Sequence, residues 1–105
     1  MSKEIAETIL EQLGGNKFIA MTGAKNFSFS ADPSDRYPAL SFRIGKNRKR
    51  ITRIKIMYDT VWDLYIMIFY EIFKNEVKST ERIEDVSADQ LQEFFTDRTG
   101  LLTHL

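Results

Sequence analysis

Apolar residues recur with helical spacing at both ends of the chain. Ser2 can cap a first turn, and Gly14-Gly15 can end the first helix. Ser87 and Gln90 have the spacing of a capping box, and Gly100 can end the last helix. The apolar positions between these signals are Ile5, Ile9 and Leu13 in the first helix and Leu91, Phe94 and Phe95 in the last. The pattern therefore predicts an N-terminal helix and a C-terminal helix.

Between these helices the apolar residues change to a period of two, which is typical of strands with one buried face. Turn-forming residues are concentrated in residues 31–38, which we interpret as the longest loop. The segments with strand character are residues 17–21, 27–30, 39–44, 51–58, 61–73 and 76–86, the last a charged edge strand. The sequence therefore predicts one α+β domain over residues 1–105. It would hold an antiparallel sheet of five to six strands, flanked by an N-terminal and a C-terminal helix.

Residues 61–73 differ from the other predicted strands because both of their faces would be apolar. A buried helix is the competing interpretation, but the density of β-branched and aromatic residues favours a strand. One face would carry Trp62, Leu64, Ile66, Ile68, Tyr70 and Ile72, and the other Val61, Tyr65, Met67, Phe69 and Phe73.

The second of these faces is a candidate interaction site. Two helices can cover one face of a five-stranded sheet and leave the other to solvent. If that open face carries the second set of residues, it forms an apolar patch for a partner, either a host protein or a second copy of this chain. The predicted interface residues are Tyr65, Met67, Phe69 and Phe73. The pattern leaves two alternatives open: the helices cover opposite faces, or residues 101–105 cover the second face.

The charges of the chain are balanced in number but separated along the sequence. It has 15 basic and 15 acidic residues, so its net charge is zero. Most of the acidic residues in the second half of the chain follow Glu71. No acidic residue lies between Arg43 and Lys55, where the basic residues are Arg43, Lys46, Arg48, Lys49, Arg50, Arg53 and Lys55. This separation predicts an electric dipole, which bears on binding partners rather than on the fold.

The same seven basic residues lie on a predicted hairpin whose turn spans residues 45–50. A two-stranded ribbon with a basic tip can neutralise phosphates and release their counterions. The alternative is a charged turn that is only solvated, or that protects a sheet edge from aggregation. Because no acid interrupts the basic residues, we predict that they bind an acidic macromolecule, with nucleic acid as the first expectation.

The residue types present also limit the chemistry of the protein. The chain has no Cys, which excludes disulfides, thiolate nucleophiles and Cys-based zinc sites, and its single His is His104. The glycine-containing turns lack the spacing of a phosphate-binding loop. We therefore predict a non-enzymatic protein with no cofactor and no metal. Its longest apolar run, residues 64–70, is too short to span a membrane, so the expected location is the cytoplasm.

Three segments resemble those of known proteins. The opening ILEQLGGNKFIAMTGAKN, the central LSFR, and the closing ADQLQEFFT with the TGL that follows are similar to a group of small phage and mobile-element proteins with no assigned activity. The resemblance implies a phage or prophage setting in a bacterial host, and it implies no functional residue. Residues 51–83 depart most from the pattern of this group.

Overall fold

The computed structural model of the protein describes residues 2–30 and 37–103. Its elements in chain order are α1 (Ser2–Leu13), α2 (Gly15–Thr22), β1 (Lys25–Ser30), β2 (Ala39–Arg43), β3 (Arg53–Asp59), β4 (Leu64–Phe73), β5 (Glu76–Val86), a 3₁₀ turn (Ala88–Gln90) and α3 (Leu91–Thr99). Within the described ranges, five strands form one antiparallel sheet in which each strand pairs with its neighbours in the sequence. The predicted fold class, an α+β arrangement with helices at both ends, is confirmed.

The predicted strand at residues 17–21 is wrong, because this segment lies within helix α2. Five residues are too few to separate a period of two from a helical period. In the helix, Phe18 is buried, and its ring centroid lies 5.6 Å from that of Phe42 and 5.0 Å from that of Phe95. Gly14, with a φ of 128°, turns the chain from α1 into α2 in a conformation that favours glycine.

All three helices cover the same face of the sheet. Apolar side chains from α1, α2 and α3 form one hydrophobic core with alternate residues of the strands. Its most deeply buried members are Ile9, Leu13, Phe18, Phe42, Ile54, Ile56, Met67, Phe69, Val86, Leu91 and Phe95. Within residues 2–30 and 37–103, no helix covers the opposite face, which we call the open face.

The predicted interface on β4 is wrong for three of its four residues. Tyr65, Met67 and Phe69 are 5%, 0% and 0% exposed, because they point towards the helices and form the middle of the core. Both faces of this strand are apolar, and a period of two does not tell which face the helices cover. Phe73, at the end of the strand, is 58% exposed and is the member of the predicted interface that stays on the surface.

The side of β4 that faces away from the helices is also largely shielded from solvent. Ile66 and Ile68 are only 6% and 9% exposed. Ile68 lies between Lys55 on β3 and Arg82 on β5. Long basic side chains can lay their aliphatic stems over neighbouring apolar surface while their charged ends stay in water. The open face therefore combines apolar residues along β4 with basic residues on both sides of it.

The predicted ends of the last helix are confirmed. The backbone N–H of Ser87 donates to Gln90 Oε1 at 3.1 Å, and the 3₁₀ turn leads from there into α3. Gly100 adopts a left-handed conformation, and its N–H donates to the carbonyl of Thr96 at 2.8 Å.

After this helix, the described part of the chain end lies on the helical side of the sheet. Leu101 packs against the core. Residues 104 and 105, and with them His104, lie outside the described residues. Among the helices of residues 2–30 and 37–103, none is both long and apolar enough to cross a membrane.

Candidate functional site

The loop between β2 and β3 is braced by the side chain of Asn47. Its amide nitrogen donates to the carbonyls of Gly45 and Ile51, at 3.0 and 2.7 Å, and its Oδ1 accepts the N–H of Ile51 at 3.0 Å. The N–H of Gly45 also donates to the carbonyl of Thr22, at the end of α2, at 2.8 Å. The loop is therefore held by its own side chain and by a helix. Its exposed basic residues are Lys46, Arg48, Lys49 and Arg50.

We expect Asn47→Ala to lower the free energy of unfolding by about 2 kcal/mol, because three part-buried hydrogen bonds of roughly 0.5–1.5 kcal/mol each are lost. Asn47→Asp keeps the acceptor for the Ile51 N–H but loses both donated bonds, so its stability should be intermediate. Denaturant unfolding of the three proteins measures this order. Equal midpoints for the wild type and Asn47→Ala would show that Asn47 does not brace the loop.

The register of the sheet brings basic residues from three strands side by side on the open face. Arg43 on β2 lies directly between Lys25 on β1 and Arg53 on β3. The same row continues with Tyr70 on β4 and Thr80 on β5. The row holds three adjacent cations and no carboxylate. This arrangement opposes folding, because like charges that face each other across strands destabilise a sheet.

A second row of the open face, next to the first, also lacks a carboxylate. It contains Ser28, Ser41, Lys55, Ile68 and Arg82. Ser28 and Ser41 share a hydrogen bond between their hydroxyls at 2.7 Å, which confirms that both lie on this face. The two rows and the β2–β3 loop together form what we call the basic surface, whose cations are Lys25, Arg43, Lys46, Arg48, Lys49, Arg50, Arg53, Lys55 and Arg82.

The acidic residues of the C-terminal half leave most of the basic surface unneutralised. Within the described part of the chain, none of the seven basic residues predicted from the sequence forms an ion pair. The acids pair instead with basic residues of β5 and α3, as Glu76 with Lys78 (3.2 Å), Glu81 with Arg98 (2.7 Å) and Glu84 with Arg82 (3.4 Å). The charge separation along the sequence therefore persists in the folded protein.

A cleft of about 720 Å³ lies between the β2–β3 loop and the hairpin that joins β4 to β5. Four basic residues line it, together with one carboxylate and several apolar side chains. The lining residues with a bearing on binding are Arg43, Lys46, Arg50, Lys78, Glu71 and Phe73. The sequence pattern does not predict this cleft, because Lys78 and Phe73 belong to a hairpin that only the sheet register places beside the basic loop.

A second polar cluster joins α1 to the turn between β3 and β4. The Tyr58 hydroxyl donates to Asp63 Oδ1 at 2.5 Å, and the Tyr65 hydroxyl donates to Gln12 Oε1 at 2.8 Å. The hydrogen bond to Asp63 raises the pKa of Tyr58 to about 12, and burial raises the pKa of Tyr65. The Tyr65–Gln12 bond links helix α1 to strand β4, and the Tyr58–Asp63 bond holds the turn between β3 and β4. Across residues 2–30 and 37–103, no group of His, Asp and Glu side chains could hold a metal ion.

The raised pKa of Tyr58 predicts a pH dependence of stability. Because the pKa is higher in the folded protein, the Tyr58–Asp63 bond stabilises the fold fully below about pH 10, and this stabilisation is lost as the pH rises through about 12. We expect the absorbance of tyrosinate to show a step near pH 12 from Tyr58, which Asp63→Asn moves towards the ordinary value of about 10. Tyr58→Phe, which removes the Tyr58 step and keeps that of Tyr65, is the control. An unchanged titration in Asp63→Asn would contradict this assignment.

No protein-family model, curated protein or solved structure matches this chain. The resemblance to phage and mobile-element proteins therefore stays a prediction.

Proposed function

We propose that this protein is a non-enzymatic accessory protein of a phage or prophage that binds nucleic acid through its basic surface. The loop residues extend outward from a braced turn, and the basic residues of the open face continue the positive charge across three strands. Phosphate backbones bind such surfaces whatever their sequence, because each neutralised phosphate releases counterions. The residues that carry this function are Arg43, Lys46, Arg48, Lys49, Arg50, Arg53 and Lys55.

The observation that carries the proposal is the row formed by Lys25, Arg43 and Arg53. Three cations lie directly beside one another, with no carboxylate in the row. Such pairs oppose folding, each by an amount on the order of a cross-strand interaction, roughly 0.2–1 kcal/mol. A surface that needed charge only for solubility could mix both signs. A polyanion lying across the three strands would neutralise the whole row at once, which explains the arrangement.

Salt-titrated binding of labelled single-stranded and double-stranded oligonucleotides, followed by fluorescence anisotropy, tests the proposal. We expect binding to at least one form at low salt. Its affinity should fall steeply as salt rises, with a log–log slope of about −0.7 per neutralised phosphate for single strands and about −0.9 for duplex. If neither form binds at low salt, the proposal is wrong.

An interaction protein is the second candidate, and an exposed apolar turn favours it. Val61 and Trp62, between β3 and β4, are 65% and 70% exposed. Large exposed apolar side chains are typical of contacts with a protein partner. They lie at the opposite end of β4 from Phe73, so this would be a different site from the predicted interface. The partner would be a host protein or a second copy of this chain.

Sedimentation equilibrium tests whether the partner is a second copy. A mass that rises with concentration in the wild type, and not in Trp62→Ala, would support a homodimer through this turn. A constant monomer mass would exclude it. Binding of a host protein through the turn should depend little on salt, in contrast to binding of nucleic acid.

A further inference from the structure

We propose that the cleft between the β2–β3 loop and the β4–β5 hairpin takes an unpaired base, with Phe73 as its stacking surface. The protein would then prefer single-stranded to double-stranded nucleic acid. This inference rests on the proposed function and deepens it by naming the form of the ligand.

Phe73 is an exposed aromatic residue beside the basic surface. It ends β4, lines the cleft and is 58% exposed. The Nζ atom of Lys74 lies 5.5 Å from the centroid of its ring, a position in which a cation is attracted to the aromatic face. Proteins that bind single strands without sequence preference place bases on such rings next to cations that hold the backbone. Phe73 and Lys74 have this combination.

The charges that line the cleft place phosphate-binding groups around the same ring. Arg43, Lys46 and Arg50 share the cleft with Phe73. A base stacked on the ring would therefore have its phosphates close to several cations. In a duplex the faces of the bases are occupied by neighbouring bases, so the ring could add nothing to binding there. The arrangement thus favours a strand whose bases are free.

The cleft contains one carboxylate, which a site that binds only phosphate groups would not need. Glu71 lines the cleft and accepts a hydrogen bond from the hydroxyl of Ser79 at 3.1 Å. A carboxylate repels phosphate, but it can accept hydrogen bonds from the amino groups of bases. The cleft therefore has basic side chains suited to phosphates and, beside them, an aromatic ring and an acceptor suited to a base.

The test places the single tryptophan of the chain in the cleft. Trp62 is the only Trp in the sequence, so Trp62→Phe combined with Phe73→Trp gives a reporter without background. The protein is titrated at low salt with three ligands in turn. They are a single strand of about 15 nucleotides, an abasic strand of the same length and a blunt duplex. We expect the single strand to quench the tryptophan fluorescence, and the abasic strand and the duplex to leave it unchanged. DNA and RNA strands of one sequence, titrated separately, show which of the two binds more tightly.

Affinities of single-site variants provide the second measurement. Phe73→Ala should weaken single-strand binding about tenfold, equivalent to about 1.4 kcal/mol, and leave the affinities for the duplex and the abasic strand unchanged. Trp62→Ala, which removes an exposed aromatic side chain at the other end of β4, is the matched control and should bind every strand as the wild type does.

The outcomes separate this inference from the function on which it rests. If anisotropy shows binding but the tryptophan is not quenched and Phe73→Ala binds single strands as the wild type does, stacking on Phe73 is wrong and the proposed function stands. If no strand binds at low salt, both are wrong.

Discussion

Replacing Arg48, Lys49 and Arg50 together by alanine is expected to weaken nucleic-acid binding roughly a hundredfold at low salt. The three side chains are exposed on a braced loop and form no ion pair within the described part of the chain. Each phosphate contact that is lost should flatten the log–log salt slope by about 0.9 for duplex DNA, so the slope should change by about two to three units. The loss should be similar for all sequences, because phosphate contacts do not read bases.

A matched control separates the position of the charges from the net charge. Asn16→Asp combined with Lys17→Glu lowers the net charge by the same amount, at exposed positions in the first turn of α2. This turn has no acidic residue, and carboxylates there favour the helix dipole, so the fold should be retained. Binding by the control should fall far less than binding by the triple variant. An equal loss in both would mean that net charge, and not the loop, governs binding.

Phe69→Ala is expected to lower the free energy of unfolding by about 3–5 kcal/mol, the range for an aromatic side chain removed from a packed core. Phe69 is 0% exposed, in the middle of the helix-covered face. Phe73→Ala, on the same strand, should lower it by less than about 0.5 kcal/mol, because Phe73 is 58% exposed. Denaturant unfolding measures both. The reverse order would show that the helices cover the other face, and it would restore the predicted interface.

Local signals in the sequence are sufficient to predict most of the fold. Ser87, Gln90 and Gly100 mark the ends of the last helix because capping and left-handed turns depend on a few neighbouring residues. The alternation of apolar residues in β2 and β3 predicts strands because one face of each is buried. In β4 both faces are apolar, so the pattern predicts the strand but not which face the helices cover. At residues 17–21 the segment is too short for its period to be read.

The candidate site could be predicted only where its residues follow one another in the chain. The seven basic residues from Arg43 to Lys55 stand out because no acid interrupts them. Lys25 and Arg82 join the same surface through strand pairing, which depends on register rather than on local composition. The sequence predicts Phe73 as an interface residue for a protein partner, and only the sheet register places it beside the basic loop. Long-range pairing is thus the information that the pattern lacks.

Backbone amide chemical shifts, recorded while the protein is titrated with a single strand and then with a duplex, test the central claim most directly. They report both whether nucleic acid binds and where it lies. We predict that the largest changes fall in residues 43–55, with further changes at residues 70–74 for the single strand, and that α1 and α3 are unaffected. Changes concentrated on those helices or around Trp62, or no change with either ligand at low salt, would contradict the assignment of the basic surface as a nucleic-acid site.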